Sequence, residues 1–423
     1  MFKKILSLAL VVVMCASLCV AMVSCSGDQA QGDDIIESPL PLTETTSSVK
    51  VPDDFKIGFI FLHDENSTYD ANFINAAKRV QKVFNLKDEQ VVFKKNIGEN
   101  DDCYSAAIDL ADQGCKIVFA DSFGHEGYLI QAAKDRPNTQ FCHATGTRAH
   151  TEGLSNFHNA FASIYEGRFL AGIAAGLKLN EMIESGKITA DKAVMGYVGA
   201  FTYAEVISGL TSFYLGAKYV CPSVTMKVQF TGSWYDEAKE QEAANALMSK
   251  GCVLISQHAD SMGAPSACEV KGVPNVSYNG STVSACPETF IISSAINWTP
   301  YLQYIIETYV QGGTIAADWC GGIDEGAVVL SDINGKAAAT GTKEKITEAI
   351  AAIKNGTLKV FDTTTFTVEG KQLTSYLADV NYDESYTKDT EAIKNGAFAE
   401  SSDRSAPYFD ICIDGIEFLN SMY

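Results

Sequence analysis

From Lys56 to Ile296 the chain repeats one pattern, and this pattern constrains the fold more than any other feature. Short apolar runs rich in Val, Ile and Phe alternate with stretches of helical spacing. The runs are "KIGFIFLH", "QVVFKKNI", "KIVFAD", "QFCHATG", "SNFHNAF", "AVMGYVGAF", "VTMKVQF", "CVLISQHAD", "NVSYNG" and "TFIISSAI". Between them fall helical candidates such as Ala71–Asn85, Cys103–Gly114, Tyr165–Glu184, Ala204–Lys218, Glu237–Lys250 and Pro300–Gln311. In the first, Phe73, Ala77, Val80 and Phe84 recur at helical spacing. Strands that are apolar throughout must be covered on both faces, and intervening helices do this only for parallel sheets. The pattern therefore predicts an α/β protein.

Ten strands could make one wide sheet or two smaller ones. The stretch from Ser163 to Gly186 is longer and richer in Ala and Gly than its neighbours, and the alternation restarts after it. Two similar lobes are expected. From Thr357 to Tyr423 the character changes, and "KVFDTTTFTVEGKQLTS" alternates like a β-hairpin with a turn at Glu369-Gly370. That segment is expected to decorate the second lobe.

The N-terminus reads as a targeting segment. Lys3 and Lys4 precede an apolar run, Ile5 to Val23, that ends in "AMVSC". Residues 1–24 are expected to be a signal peptide; the alternative, a membrane-spanning helix, needs about 20 apolar residues and the run is close to that limit. Ser24 beside Cys25 resembles a bacterial lipobox, so Cys25 is the expected lipidation site. Residues 25–54 are polar, with three prolines among them, and read as a disordered tether that cannot offset its own ordering entropy.

A net charge of −20 argues against nucleic acid and anionic lipid faces as partners. Beyond Cys25 nine cysteines remain, an odd number without a Cys-x-x-Cys spacing, so structural zinc has no support and most are expected to be buried small hydrophobes. Cys268 with Cys286 is the pair to test first for a disulfide. The six histidines form no His-Glu-x-x-His motif. No metal and no cofactor is expected.

In open parallel sheets, ligands bind beyond the carboxyl ends of the strands where the strand order switches. Those positions read "HDENSTYD", "ADSFGHE", "ATGTRAH", "AFTYAE", "TGSWYDE", "HADSMG", "YNGST" and "INW". Rings, carboxylates and amides dominate, an inventory suited to a flat ring and hydroxyl donors. Arg148 is the one strong cation in these stretches, whereas phosphate sites use Gly-rich turns and several basic groups. A small neutral ligand fits better than a nucleotide. Thr68 or Asp70 could equally cap the first helix.

The segments "IGFIFLHDENSTYDANFINAA", "IVFADSFGHEGY", "NAFASIYEGRFLAGIAAG", "GYVGAFTYAEVISGLTSFYLGAK" and "FTGSWYDEAKEQEAANALMSKGCVLISQHADSMG" resemble the basic membrane protein (PnrA-like) family of bacterial ABC-importer substrate-binding lipoproteins. The resemblance covers Lys56 to about Ile353. It implies a type I periplasmic-binding-protein fold: two Rossmann-like lobes with parallel sheets, joined by a hinge. Residues 55–162 with about 295–325 would form lobe one, and about 163–294 with about 326–423 lobe two. It also implies a purine nucleoside bound between the lobes and an ABC permease as partner. Carried over by position, the family's ligand-binding residues fall at Asp64, Tyr69, Phe73, Asp121, Phe123, Trp234, Asp260 and Gly263. Asn279 stands where the family has Asp and Asn297 where it has Lys, which implies a changed ranking of sugar hydroxyls. A competing class is an extracellular enzyme such as a nucleoside hydrolase, in which Asp64, Asp121 and Asp260 would converge. A signalling receptor without transport is a third.

Overall fold

The computed structural model describes residues 35–381 and 387–423. The signal segment and Cys25 lie outside the described residues. All ten expected strands form. The first is β1 (Ile57–Ile60), followed by α1 (Thr68–Val83), β2 (Val91–Lys94), α2 (Asp101–Asp112), β3 (Ile117–Ala120), α3 (Glu126–Asp135), β4 (Gln140–Ala144) and β5 (Phe157–Ala162). After them come α4 (Ile164–Glu184), β6 (Val194–Gly199), α5 (Ala204–Val220), β7 (Thr225–Phe230), α6 (Glu237–Ser249), β8 (Leu254–His258), α7 (Gly263–Lys271), β9 (Asn275–Tyr278) and β10 (Phe290–Ile296). The chain then forms α8 (Thr299–Val310), β11 (Asp318–Gly321), β12 (Val328–Leu330), α9 (Thr342–Lys354) and β13 (Ile416–Phe418).

The strands divide into two sheets. Sheet one has the order β11-β5-β4-β3-β1-β2 and all its pairings are parallel. Sheet two has the order β12-β10-β9-β8-β6-β7-β13, parallel except where β12 runs against β10. The inner strands β1, β3, β5, β8 and β9 are buried along their whole length, as their unbroken apolar runs require. The chain passes from sheet one to sheet two through α4, returns through α8, and crosses again between β11 and β12.

Helix α4 is nearly all buried because it packs against both α5 and sheet two. The approach of α4 and α5 is set by glycines. A Cβ at Gly172 would stand 2.1 Å from Phe213 O, and one at Gly216 would stand 1.9 Å from Phe169 O. The Ala/Gly richness of this stretch is thus a helix-contact requirement.

Three expectations need correction. The supposed tether is not free over its second half: Ser38 Oγ donates to Leu330 O (2.8 Å), Leu330 N donates to Leu40 O (2.8 Å), and Ser47 Oγ donates to Glu307 Oε1 (2.6 Å). Leu40, Val49 and Val51 pack on the core, so contacts distant in sequence supply what the segment's own composition lacks. The C-terminal hairpin shrinks to its turn. Glu369 (φ 52°) and Gly370 (φ 75°) are both left-handed as a tight hairpin turn demands, yet only Val368 and Lys371 pair across it. The tail also does more than decorate the second sheet through β13, since Ser405 N and Oγ donate to Asp318 Oδ1 on β11 of sheet one (2.9 and 2.6 Å). Finally, all nine cysteines from Cys103 on are free and seven are buried; Cys286 Sγ donates to Thr282 O (3.1 Å) instead of bridging to Cys268.

Candidate functional site

Both sheets have their switch points where the site lies. In sheet one the order turns at β1, flanked by β2 and β3; in sheet two it turns at β6, flanked by β7 and β8. The loops leaving these strands line a narrow cavity with about 20 Å³ of water-accessible space. Sheet one contributes Leu62, His63, Tyr69 and Asp70 after β1, Ser122 and Phe123 after β3, and Thr145 after β4. Sheet two contributes Glu205, Trp234, His258, Asp260 and Asn279. The two sets of loops touch each other around it. Thr68 N donates to Asp260 O (3.0 Å), Asn72 Nδ2 donates to Asn279 Oδ1 (3.2 Å), and the Phe123 and Tyr203 rings lie 5.3 Å apart.

Helix α1 places the first wall. Its N-cap is Ser67, whose Oγ accepts from Asp70 N (3.2 Å); neither Thr68 nor Asp70 serves as cap. Asp70 is thereby released to point inward, where its Oδ1 accepts from His63 N (2.7 Å) and its Oδ2 lies 3.4 Å from His63 Nδ1. Burial opposes ionisation of Asp70, but the bonds from His63 and Ser67 outweigh it and hold the carboxyl below the usual range. Asp121 goes the other way: burial, then the charge of Asp70, push it well above the usual range. Of these two neighbouring buried carboxyls, Asp70 is therefore the more acidic.

On the second wall, burial raises Asp260 well above the ordinary carboxylate range, with Glu240 and Asp70 adding to the shift. His258 is 2% exposed, and burial holds its ring below the usual imidazole range although Glu205 pulls upward. Its two nitrogens make no hydrogen bond; Nε2 stands 3.7 Å from Glu205 Oε1. Trp234 is half-buried and edge-on to Phe201, with centroids 5.1 Å apart. No lysine or arginine belongs to the lining. Among the described residues no group of three His, Cys, Asp or Glu could hold a metal ion.

The expected site residues separate into two groups. Tyr69, Phe123, Trp234, Asp260 and Asn279 line the cavity, and Asp121 lies directly behind it, its carbonyl accepting from Tyr69 OH (2.7 Å). The other four do not line it. Phe73 is fully buried core, stacked on Trp298 at 4.5 Å. Asp64 closes a local turn by accepting from Asn66 N and Nδ2 (3.0 and 2.8 Å), so it does not converge with Asp121 and Asp260. Gly263 is a packing position, where a Cβ would stand 2.2 Å from Glu237 O. Asn297 ties the entry to α8, accepting from Arg79 Nη2 (3.2 Å) and donating to Gly326 O (2.9 Å). Arg148 is likewise outside, paired with Glu152.

Sequence reasoning did not single out His63, Ser122, Thr145, Glu205 or His258, and gave Asp70 only as the end of a polar run, Asp64 to Asp70, expected along one wall of the cleft. All six fall inside the strand-end stretches that it marked, but a stretch does not say which side chain turns inward.

Comparison with known proteins agrees with this architecture. A purine-binding protein of Brucella abortus is 29% identical over 309 residues, 72% of this chain and 83% of the relative. A putative ABC transporter glucose-binding protein of Haloferax volcanii is 30% identical over 256 residues, 60% of this chain and 61% of that one. Over 162 residues, 38% of this chain and 42% of the relative, it is 26% identical to an ABC transporter nucleoside-binding protein of Lactococcus lactis. The fold matches that of an ABC transporter solute-binding protein from Conexibacter woesei, with TM-score 0.58 and 18% identity, covering 72% of this chain and 98% of that one. The family of PnrA-like ABC transporter substrate-binding proteins, Bmp, matches residues 61–364. With two switch points facing one cavity and a family match over most of its length, the chain belongs to the Bmp family of ABC transporter substrate-binding proteins.

Proposed function

We propose that this solute-binding receptor of an ABC importer is anchored by lipidated Cys25 to the extracellular face of the bacterial membrane. It closes its two lobes on a purine nucleoside or related flat nitrogen heterocycle and presents it to the permease. One observation carries the ligand class: the cavity between the two switch points combines ring surfaces (Tyr69, Phe123, Trp234) with hydrogen-bond acceptors (Asp70, Glu205, Asp260) and has no lysine or arginine in its lining. Ring faces hold a planar ligand, and carboxylates accept from its N–H and O–H groups. A phosphate would meet only repulsion there. The purine- and nucleoside-binding relatives support the same class. Closure would be a hinge motion whose closed form is favoured by ligand contacts on both walls.

Binding without chemistry is the reading favoured over hydrolysis, because Asp64 is engaged by Asn66 and does not belong to the cavity lining. Calorimetry on mature protein with purine and pyrimidine nucleosides, free bases, nucleotides and simple sugars tests the ligand class, with nucleosides expected to bind. A preference for a nucleotide or a free sugar refutes it. Release of free base during incubation with nucleosides would instead establish the hydrolase.

A further inference from the structure

The charge of the cavity is out of balance. Three carboxylates line it, Asp70, Glu205 and Asp260, with two histidines and no ammonium or guanidinium group. Asp70 is provided for locally, its Oδ1 accepting from His63 N (2.7 Å) and its Oδ2 lying 3.4 Å from His63 Nδ1. Glu205 and Asp260 are not. His258 Nε2 stands 3.7 Å from Glu205 Oε1, and burial keeps that ring below the usual imidazole range. Asp260 faces Asn279, an amide, and lies near a further carboxylate, Glu240.

The buried cation of this lobe does not answer the deficit. Arg168 is fully buried and bonds to oxygens of Ser277, Ser294, Tyr197, Ser256 and Gln257, with its guanidinium 5.0 Å from the Tyr278 ring centroid. Its partners are carbonyls, hydroxyls and a ring. It does not belong to the lining, and neither does Tyr278, whose ring stands between it and His258, 4.5 Å from the His258 ring.

Desolvating a carboxylate is unfavourable unless a cation or several donors replace water. A neutral ligand that fills this cavity excludes water from Glu205 without compensating its charge, and does nothing to favour ionisation of Asp260, which burial already opposes; a cation would stabilise the ionised form of both. The rings point the same way, since the faces of Trp, Tyr and Phe carry negative potential and attract delocalised cations. Trp234, Tyr69 and Phe123 meet the carboxylates in one small enclosure. We propose that the receptor's ligand is a flat organic cation, an N-alkylated or protonated heterocycle whose positive charge is neutralised by Glu205 and Asp260 and whose ring lies against Trp234 and Phe123. The proposal rests on the solute-receptor reading above and narrows its ligand class, replacing the uncharged ligand expected from the strand ends.

Two pairs of probes test it by calorimetry at neutral pH: adenosine against 1-methyladenosine, and nicotinamide against 1-methylnicotinamide. Within each pair the second member is the cation, and the shape changes by a methyl group. The cation is expected to bind at least tenfold more tightly in one pair or both. Glu205→Gln should shrink that ratio severalfold, with Asp260→Asn as the second variant should Glu205→Gln fold poorly. Equal or tighter binding of the neutral member in both pairs, or no binding by either cation, overturns the proposal. Tight binding of adenosine over 1-methyladenosine, with nicotinamide also preferred to or equal to 1-methylnicotinamide, would overturn it while leaving the nucleoside reading intact. Binding of 1-methylnicotinamide alone would support it and remove the nucleoside reading.

Discussion

The division between Phe73 and Trp234 predicts a double dissociation between stability and affinity. Phe73 is fully buried, stacks on Trp298 at 4.5 Å and 23°, and touches Tyr69 and Phe119 at 4.9 and 5.5 Å. Phe73→Ala removes a ring from this cluster and should lower the unfolding free energy by about 3–5 kcal/mol, the range for Phe truncated in a core. A protein with about 5–15 kcal/mol of stability survives that at 25 °C, so its affinity can still be measured. Trp234 is half-buried at the cavity wall, so little core is lost on truncation. What Trp234→Ala loses is the stacked ligand, about 1–3 kcal/mol by analogy with base–aromatic stacking. At about 1.4 kcal/mol per tenfold, that is a loss of about 5- to 150-fold in affinity. Urea unfolding of the ligand-free proteins and calorimetric titration of the folded ones give the two axes. Phe73→Ala must rank first on stability and Trp234→Ala first on affinity. The reverse order on either axis would refute the assignment of Phe73 to the core and of Trp234 to the ligand.

Gly216→Ala should destabilise by about 1–3 kcal/mol through overpacking against Phe169 O, despite the better helix propensity of Ala; an unchanged midpoint would mean that α4 and α5 can separate freely. Burial raises the carboxyls of Glu166, Glu240 and Glu400 to about 7, against about 4.3 in an unfolded chain. The folded state then holds these protons more tightly, so their stabilisation is complete below the unfolded value and lost as pH rises through about 7; the melting temperature should fall between pH 5 and 8, and Glu400→Gln should flatten that slope. Cys25→Ala should release the protein from the membrane fraction without altering ligand affinity, whereas retention would point to an uncleaved helix.

Much of the fold was legible because its determinants are local. The ten apolar runs became ten strands, and helices such as Glu237–Ser249 lie within a residue or two of their expected limits, since periodicity and capping act over a single turn. Of the residues carried over from the family resemblance, Tyr69, Phe123, Trp234, Asp260 and Asn279 line the cavity, and their part in binding belongs to the proposal above.

What the sequence by itself determined is the alternation of strand and helix and the polar, ring-rich character of the strand ends. Only the tertiary structure decided which of those side chains meet. Phe73 and Tyr69 lie four residues apart on one face of one helix, their rings 4.9 Å apart, yet one turn along its axis puts Phe73 in the core and leaves Tyr69 at the cavity. Residues 38–54 look too polar to order themselves, but they order against Leu330 and Glu307, nearly three hundred residues away. The pairing of Glu205 with His258 and the absence of a cation beside them are likewise properties of two loops brought together by β6 and β8. Long-range contacts offset entropy and desolvation costs that no local window of sequence can assess.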